Sequence, residues 1–391
     1  MMTPEPGGPA AAAGAGHRPV RVLVVTARFV PDLGGTETHV LEVTRRMARR
    51  GDLDLTVLTT DRGGTRPVRE EMEGFGVLRC RSYPRSRDYY LAPGVYRHIR
   101  RERYDVMHCQ GIHTAVPVIA MAAAVRARIP YVVTFHTGGH SSGFRRRIRS
   151  TQWQALGPLL RHATTLVAVS RFEQQLFQQA CQLEGSRIRV IQNGGSLLAS
   201  AVPASPIAGR IVSSGRLEQY KGHQRLIEAL PIVQRSVPGA TLHVLGSGPY
   251  EASLRALAGR LGLSESVTIE YIAPDQRQRM AQALARAAVF AGLSEYEAHP
   301  VAVMEALTLG LPVVGLDTAG VADLVADGLV QGVPPGASPA AIAEILTAAL
   351  NGRGSRPPGT LPTWEKAADE LARIYLNAAG AGPAPSGSCD P

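Results

Sequence analysis

The stretch "VRVLVVTARFVPDLGGTETHVLEVTRRMARRG" (Val20–Gly51) decides the fold. It opens on a short apolar, β-branched run, Val20–Phe29, that reads as a buried strand. Gly34 and Gly35 then make a loop, and Thr36–Arg50 has the spacing of an amphipathic helix that stops at Gly51. The unit recurs. "DLTVLTT" and "YDVMHCQG" read as strands, "AVPVIAMAAAVRA" as a helix, and "PYVVTFHTGG" as a strand entering a glycine loop. "ATTLVAVS", "RFEQQLFQQAC" and "IRVIQNGG" continue as strand, helix and strand. Such alternation implies a parallel sheet covered on both faces.

The polar, proline-dotted segment "SLLASAVPASPIAGR" (Ser196–Arg210) interrupts the alternation and reads as a linker. A second series then begins at "RIVSSGRL" and runs through "ATLHVLGSG", "SVTIEYI" and "AVFAGLS", each followed by a helical pattern, to a last strand "PVVGLDT". The expectation is an α/β protein of two doubly wound, Rossmann-like domains facing a cleft. Residues 18–197 and 210–362 form the domains, and 198–209 the linker. The Gly/Ala/Pro-rich ends at 1–17 and 379–391 are expected to be disordered. In such sheets ligands sit beyond the carboxyl ends of the strands, so the cleft is the natural site.

Composition narrows the function classes. At 391 residues, 45% hydrophobic and 19% charged, the chain suits two globular domains. Its longest apolar run, Ala115–Val125, is too short to span a bilayer, and its start has no basic or leucine-rich secretory pattern. Cys80, Cys109, Cys181 and Cys389 are scattered without metal spacing and read as reduced thiols of a cytoplasmic protein. Residues 1–195 hold 28 basic against 15 acidic residues, a balance of +13 within a net +10, so the first half is expected to meet something anionic. No nucleic-acid-binding module is visible and aromatics are only 5%, so that partner is not expected.

Several loops have the residue types for chemistry. "GGTETH" puts Gly34 and Gly35 between a strand and a helix N-terminus, which suits a phosphate or a plain tight turn. "SGRLEQYKG" places Arg216 and Lys221 in one loop, a fork and a point charge suited to a diphosphate or to solvent. "LGSGP" (Leu245–Pro249) lacks the third glycine of a dinucleotide fingerprint and reads as a turn. In "SEYEAHPVAVMEALTLGLPVV" (Ser294–Val314), Pro300 suits the first turn of a helix ending at Gly310. Glu297 then precedes that helix and Glu305 lies inside it, which fits two separate hydroxyl acceptors better than a facing carboxylate pair. His136 stands at a strand end before a glycine loop; His113, His140 and His299 are less well placed.

Taken in order, "GGTETHV", "TFHTGG", "AVSRFEQQLF", "IQNGG", "SGRLEQYKGHQRLIEALP", "LGSGP" and the E-x7-E stretch give a chain that resembles glycosyltransferase family 4 from about Val20 to Leu376. These are the retaining, nucleotide-sugar-dependent transferases of the GT-B fold. The resemblance implies that Gly34 and Gly35 offer backbone to the diphosphate, and that Arg216 and Lys221 neutralise it. It implies that Glu305 accepts from the ribose, and that Glu297 holds a hydroxyl of the transferred sugar. The amides of Ala298, His299, Pro300 and Val301 line the donor site, as does Ile272, and His136 lies beside the anomeric carbon. It further implies no cofactor and no bound metal, and a last helix, residues 363–378, crossing back to the first domain.

Two departures stand out. "NGGS" (Asn193–Ser196) replaces the usual Asn-Gly-Val-Asp, and "EAHP" replaces Glu-Gly-Phe-Gly, so His299 and Pro300 reshape the sugar pocket. The implied reaction moves a hexose from a nucleoside diphosphate sugar, uridine by default, to an unidentified acceptor hydroxyl. The acceptor is read as anionic or lipid-linked. The basic, then amphipathic, segment Gly143–His162 with Trp153 suggests peripheral contact with an anionic inner membrane face, or an ordinary solvated helix. A sugar-nucleotide epimerase and a silent binding scaffold are the competing readings.

Overall fold

The computed structural model describes residues 18–32, 34–84, 90–138, 143–195, 206–273, 275–353 and 360–380, with backbone alone at 143–151 and 353. Residues 1–17 and 381–391 of the ends expected to be disordered, linker residues 198–205, His140 and Cys389 lie outside these, whereas 379–380 of the expected tail belong to the last helix.

The first domain is an eight-stranded sheet. Its strands are β1 (Val20–Thr26), β2 (Leu53–Asp61), β3 (Arg69–Met72), β4 (Phe75–Arg81), β5 (Val106–Gln110), β6 (Tyr131–Thr134), β7 (Thr165–Ala168) and β8 (Ile188–Val190). Their spatial order is β3-β4-β2-β1-β5-β6-β7-β8, parallel except for β3 against β4. Helices α1 (Gly35–Met47), α2 (Pro93–Arg101), α3 (Ala115–Ala127), α4 (Gly143–His162) and α5 (Arg171–Cys181) cover it. Val22 to Val25 are buried with side chains toward both faces, which is why β1 reads as a continuous apolar run.

The second domain is a six-stranded sheet. It comprises β9 (Arg210–Ser214), β10 (Thr241–Leu245), β11 (Val267–Glu270), β12 (Val289–Gly292), β13 (Val313–Leu316) and β14 (Gln331–Val333). Its order is β11-β10-β9-β12-β13-β14, and all its pairings are parallel. Helices α6 (His223–Ser236), α7 (Glu251–Arg260), α8 (Arg277–Ala285), α9 (Val301–Thr308), α10 (Ala319–Ala326) and α11 (Pro339–Ala348) flank it. The last helix, α12 (Trp364–Gly380), returns to the first domain. Trp364, Leu371 and Tyr375 are fully buried in the same apolar cluster as Val22, Val40 and Val106.

Two elements went unanticipated. The β3–β4 hairpin, Arg69–Arg81, turns at Glu73 and Gly74, both at positive φ. α2 starts at Pro93, where a missing N–H costs nothing.

Each sheet reverses its strand order once, between β1 and β5 and between β9 and β12. Loops leaving the carboxyl ends there diverge to opposite faces and open a crevice. The loop after β9 carries Arg216 and Lys221, and the loop after β12 carries Glu297. Their adjacency follows from topology.

Candidate active site

Backbone contacts fix the second domain's loops before any side chain is considered. The N–H of Glu295 donates to the carbonyl of Tyr220 at 2.8 Å. Gly222 has φ of 76°, and a Cβ there would overlap the carbonyl of Leu293. The N–H of Gly320 donates to the carbonyl of Glu297 at 2.8 Å, locking the second loop to the start of α10. This register brings Lys221 Nζ to 2.5 Å from Glu297 Oε1. Burial opposes the lysine's charge, but Glu297 together with Tyr220 outweighs it, so the ammonium is held above its usual pKa.

Arg216 is not drawn in with them. Its side chain is 68% exposed and pairs with Glu218 at 3.0 Å. Its charge still bears on Lys221 by repulsion, and an anion placed between them would relieve that. Beneath the loop, His223 meets Ser213 Oγ through Nδ1 at 3.0 Å. Gly246 and Gly248 of "LGSGP" press on the backbone of Gly215 and Leu217, where any Cβ would collide, so that motif is a structural turn.

Pro300 is the N-cap of α9 rather than its first residue, with φ −74° and ψ 115°. A residue in extended conformation hands the free N–H groups of the next turn toward the cleft. Ala298 and His299 are buried, and Val301 packs against the first domain's apolar cluster. Glu305 lies inside α9 with its Oε1 taken by Arg277 of α8, a partner the sequence reading missed. Burial raises the Glu305 pKa, against the pull of Arg277. Ile272 follows β11 and its side chain is buried beside Val212 and Val303, which leaves backbone as its means of reaching a ligand.

Across the cleft, Gly138 forms an antiparallel bridge with Glu297. That strap is braced from below. Glu173 is fully buried, its Oε1 accepting from the N–H and hydroxyl of Thr137 at 2.6 and 2.8 Å and its Oε2 from the N–H of Val169 at 2.8 Å. His136, one residue before Thr137, has φ of 49° and hydrogen-bonds Gln110 Oε1 through Nε2 at 2.7 Å. His113 Nε2 donates to the His136 carbonyl at 2.7 Å. The His136 ring meets His39 edge-on, centroids 4.5 Å apart.

His39 links this side to the other. Its Nδ1 lies 2.8 Å from Asn193 Oδ1, and Asn193 Nδ2 donates to the carbonyl of His299 at 3.0 Å. The "NGG" turn that carries Asn193 threads between the domains. A Cβ on Gly195 would strike the carbonyl of Met304 and the hydroxyl of Thr308, so the valine usual in this motif has no room. The His299 ring is only 4% exposed, and neither nitrogen has a hydrogen-bond partner.

At the other phosphate loop, Gly34 is the N-cap of α1. The Glu37 carboxylate folds back against Gly34, close enough that a Cβ there would meet its Oε2 at 2.7 Å. Burial raises its pKa. A carboxylate therefore lies beside the helix end expected to meet a diphosphate.

Trp153 of α4, a residue of the segment read either as membrane contact or as a solvated helix, faces neither. It is 5% exposed, packs on Phe177 at 4.8 Å and lies with Leu156 and Leu160 in the domain core. The apolar residues of α4 from Trp153 to Leu160 are therefore spent on their own domain, and the side chains of 143–151 lie outside the described residues.

The sequence matches the family described as Glycosyltransferase Family 4 over residues 33–196, and Glycosyl transferases group 1 over residues 208–358. The chain belongs to glycosyltransferase family 4. The transferase is similar to the GDP-mannose:cellobiosyl-diphosphopolyprenol alpha-mannosyltransferase of Komagataeibacter xylinus, at 27% identity over 93% of this chain and 95% of the relative. It is also similar to a D-inositol 3-phosphate glycosyltransferase of Nocardiopsis dassonvillei, at 26% identity over 91% and 94% of the two chains. Its fold matches that of Anabaena Alr3699/HepE, solved with UDP and glucose. The TM-score is 0.69 at 21% identity, over 92% of this chain and 97% of that one. WaaG, a glycosyltransferase of lipopolysaccharide biosynthesis, superimposes with a TM-score of 0.65 at 18% identity, over 94% and 100%. The GT-B architecture with its returning C-terminal helix is therefore that of the transferase.

Two predictions arise from this geometry. Burial holds His39, His223 and His299 at a pKa of about 4 and His108 at about 3, against an ordinary 6.5. They are neutral when folded, so below pH 6.5 the unfolded chain binds more protons. The stabilisation they give is complete above about pH 6.5 and is lost as pH falls toward 4, each imidazole contributing about 1.4 kcal/mol per pH unit. Calorimetry should show a level Tm at pH 7–8 and a steep fall from about pH 6 to 4.5; a level Tm throughout would contradict the buried-neutral assignment.

Ala319 supplies the second. It sits at φ 49° beside Gly320. A left-handed conformation costs a residue with a Cβ about 1 kcal/mol. Ala319→Gly should therefore raise stability by up to about 1 kcal/mol in urea unfolding, and a loss of stability would mean the methyl contact outweighs the strain.

Proposed function

We propose that the transferase moves a hexose from a nucleoside diphosphate sugar to an acceptor hydroxyl with retention at the anomeric carbon. The observation that carries this is the Lys221–Glu297 pair at the switch point of the second sheet, strapped to the His136 loop through Gly138. Lys221, with Arg216 swinging in, receives the charge that builds on the diphosphate as the glycosidic bond stretches. The first-turn amides of α9 add to it. Because that charge is greatest in the transition state, these groups favour bond breaking over mere binding.

Glu297 then serves a sugar hydroxyl, and Glu305 the ribose once Arg277 yields an oxygen. His136 stays neutral and lends its backbone carbonyl and ring to the sugar side. The leaving phosphate takes the acceptor's proton. No metal is required in this scheme, and EDTA should leave the rate unchanged.

Uridine diphosphate is our default donor; the guanosine donor in the name of the mannosyltransferase relative makes GDP-sugars the first competitor. The same name supports a lipid-linked acceptor. No helix among the described residues is long and apolar enough to cross a membrane. The test is release of nucleoside diphosphate across UDP- and GDP-hexoses, with and without a polyprenyl-diphosphate sugar, and proton NMR of the product. Inversion at the anomeric carbon would sink the mechanism. Acceptor-independent turnover would favour an epimerase, and no turnover with tight binding a scaffold.

A further inference from the structure

At the opposite end of the first sheet lies a second concave site. It is a pocket of about 650 Å³ built by residues just before β1, β5 and β6. These are the amino ends of the parallel strands, whereas the cleft lies at their carboxyl ends. β1 alone, seven residues long, separates the two by roughly 20 Å.

Six arginines line the pocket: Arg18, Arg21, Arg100, Arg101, Arg103 and Arg128. Two carboxylates face them, Glu102 and Asp105. Asp105 is spent. Arg18 grips it with two nitrogens at 2.8 and 2.9 Å, and the N–H of Arg21 donates to it at 2.8 Å. Arg100 donates to the carbonyl of Arg126 near the end of α3 at 2.9 Å. Arg101, Arg103 and Arg128 have no acidic partner among the described residues. The helix ends of α2 and α3 attract cations weakly, within their last turn. That attraction does not account for three unpaired guanidiniums around one hollow, where mutual repulsion is a standing cost. Ile99, Ala127, Ile129 and the Tyr104 ring also line it, and Arg21 sits 5.3 Å over that ring. Charges of one sign gathered around a hollow raise the potential felt by an incoming anion.

We propose that this pocket binds a multiply charged phosphate, either a soluble polyphosphate or the phosphomonoester headgroup of a lipid. The guanidinium forks of Arg101, Arg103 and Arg128 take its oxygens in pairs. The site is separate from the donor cleft and does not depend on the transfer reaction.

The experiment uses full-length protein carrying Arg216→Ala and Lys221→Ala, so that the cleft does not compete for the probe. Inorganic tripolyphosphate is titrated calorimetrically, and phosphatidylcholine vesicles with and without phosphatidic acid are co-sedimented. Binding of tripolyphosphate assigns a soluble ligand, and binding to acidic vesicles alone assigns the headgroup. In either case Arg101→Gln/Arg103→Gln/Arg128→Gln should weaken binding about tenfold or more. The matching lysine variant should keep most of the attraction and its salt dependence. The glutamine variant is expected to melt no lower than its parent, because repulsion is relieved. If it does melt lower, Arg128→Gln alone, on the far wall, should still weaken binding. Binding of neither probe, or binding by the glutamine and Arg128→Gln variants equal to that of their parent, overturns the proposal.

Discussion

Replacing Lys221 by alanine is expected to lower turnover by about 10²–10³-fold, the usual effect of deleting one donor aimed at developing negative charge. The loss is larger than that of one cation on a surface. Lys221 is the partner of Glu297 at 2.5 Å, in a part-buried setting. Without it the carboxylate faces the incoming diphosphate unneutralised, and KM should rise along with the fall in kcat. The variant Lys221→Ala/Glu297→Gln separates the two effects. Removing the stranded charge should recover much of the donor affinity while turnover stays low, because the charge on the leaving group still has no ammonium. Single-turnover nucleotide release measures both terms. A Lys221→Ala enzyme within about threefold of wild type would remove this residue from the transition state.

Gly320→Ala is expected to be the most damaging small substitution in the second domain. Its Cβ would overlap the carbonyl oxygen of Ala298 and crowd that of Glu297, and backbone has no rotamer to retreat into. The hydrogen bond from Gly320 N–H to Glu297 holds the strap side of the cleft, so the shift reaches the site directly. We expect a cost of about 2–4 kcal/mol and a fall in Tm on the order of 10 °C. The fraction that folds should also bind donor poorly. Tm and activity measured on the same preparation test this, and an unchanged Tm would mean that the α10 start gives way freely.

The sequence reading succeeded where local signals suffice. α3 and α5 were read with the bounds the structure has, because turn residues bracket each apolar pattern. The β3–β4 hairpin escaped because "REEM" presents charge on alternate positions and looks like a loop until paired with β4. Within the site, Lys221, Glu297, His136 and His299 were legible as loop residues at strand ends. Their partners were not. Arg277 lies 28 residues from Glu305, Asn193 lies 106 from His299, and Glu173 lies 36 from Thr137. No local pattern marks such pairs: Arg277–Glu305 and Glu173–Thr137 form only once each sheet has brought its loops together, and Asn193–His299 only once the two domains face each other. The Ser170–Glu173 spacing could have been read as a helix cap, and Ser170 Oγ does accept from the Glu173 N–H. Nothing in it says that the carboxylate also holds the cleft strap.

The return of α12 bears on how the chain is made. Trp364, Tyr375 and the other buried residues of α12 complete a cluster whose remaining buried members lie in the first half of the sequence, and Tyr375 closes on His108 at 2.5 Å. A nascent first domain leaving the ribosome therefore has α1 alone over one face of its sheet, with the part that α12 covers around Val106 left open, until nearly the whole protein has been translated. That interval exposes apolar surface to aggregation and to chaperones, and it means the N-terminal half does not behave as a free-standing module when expressed alone.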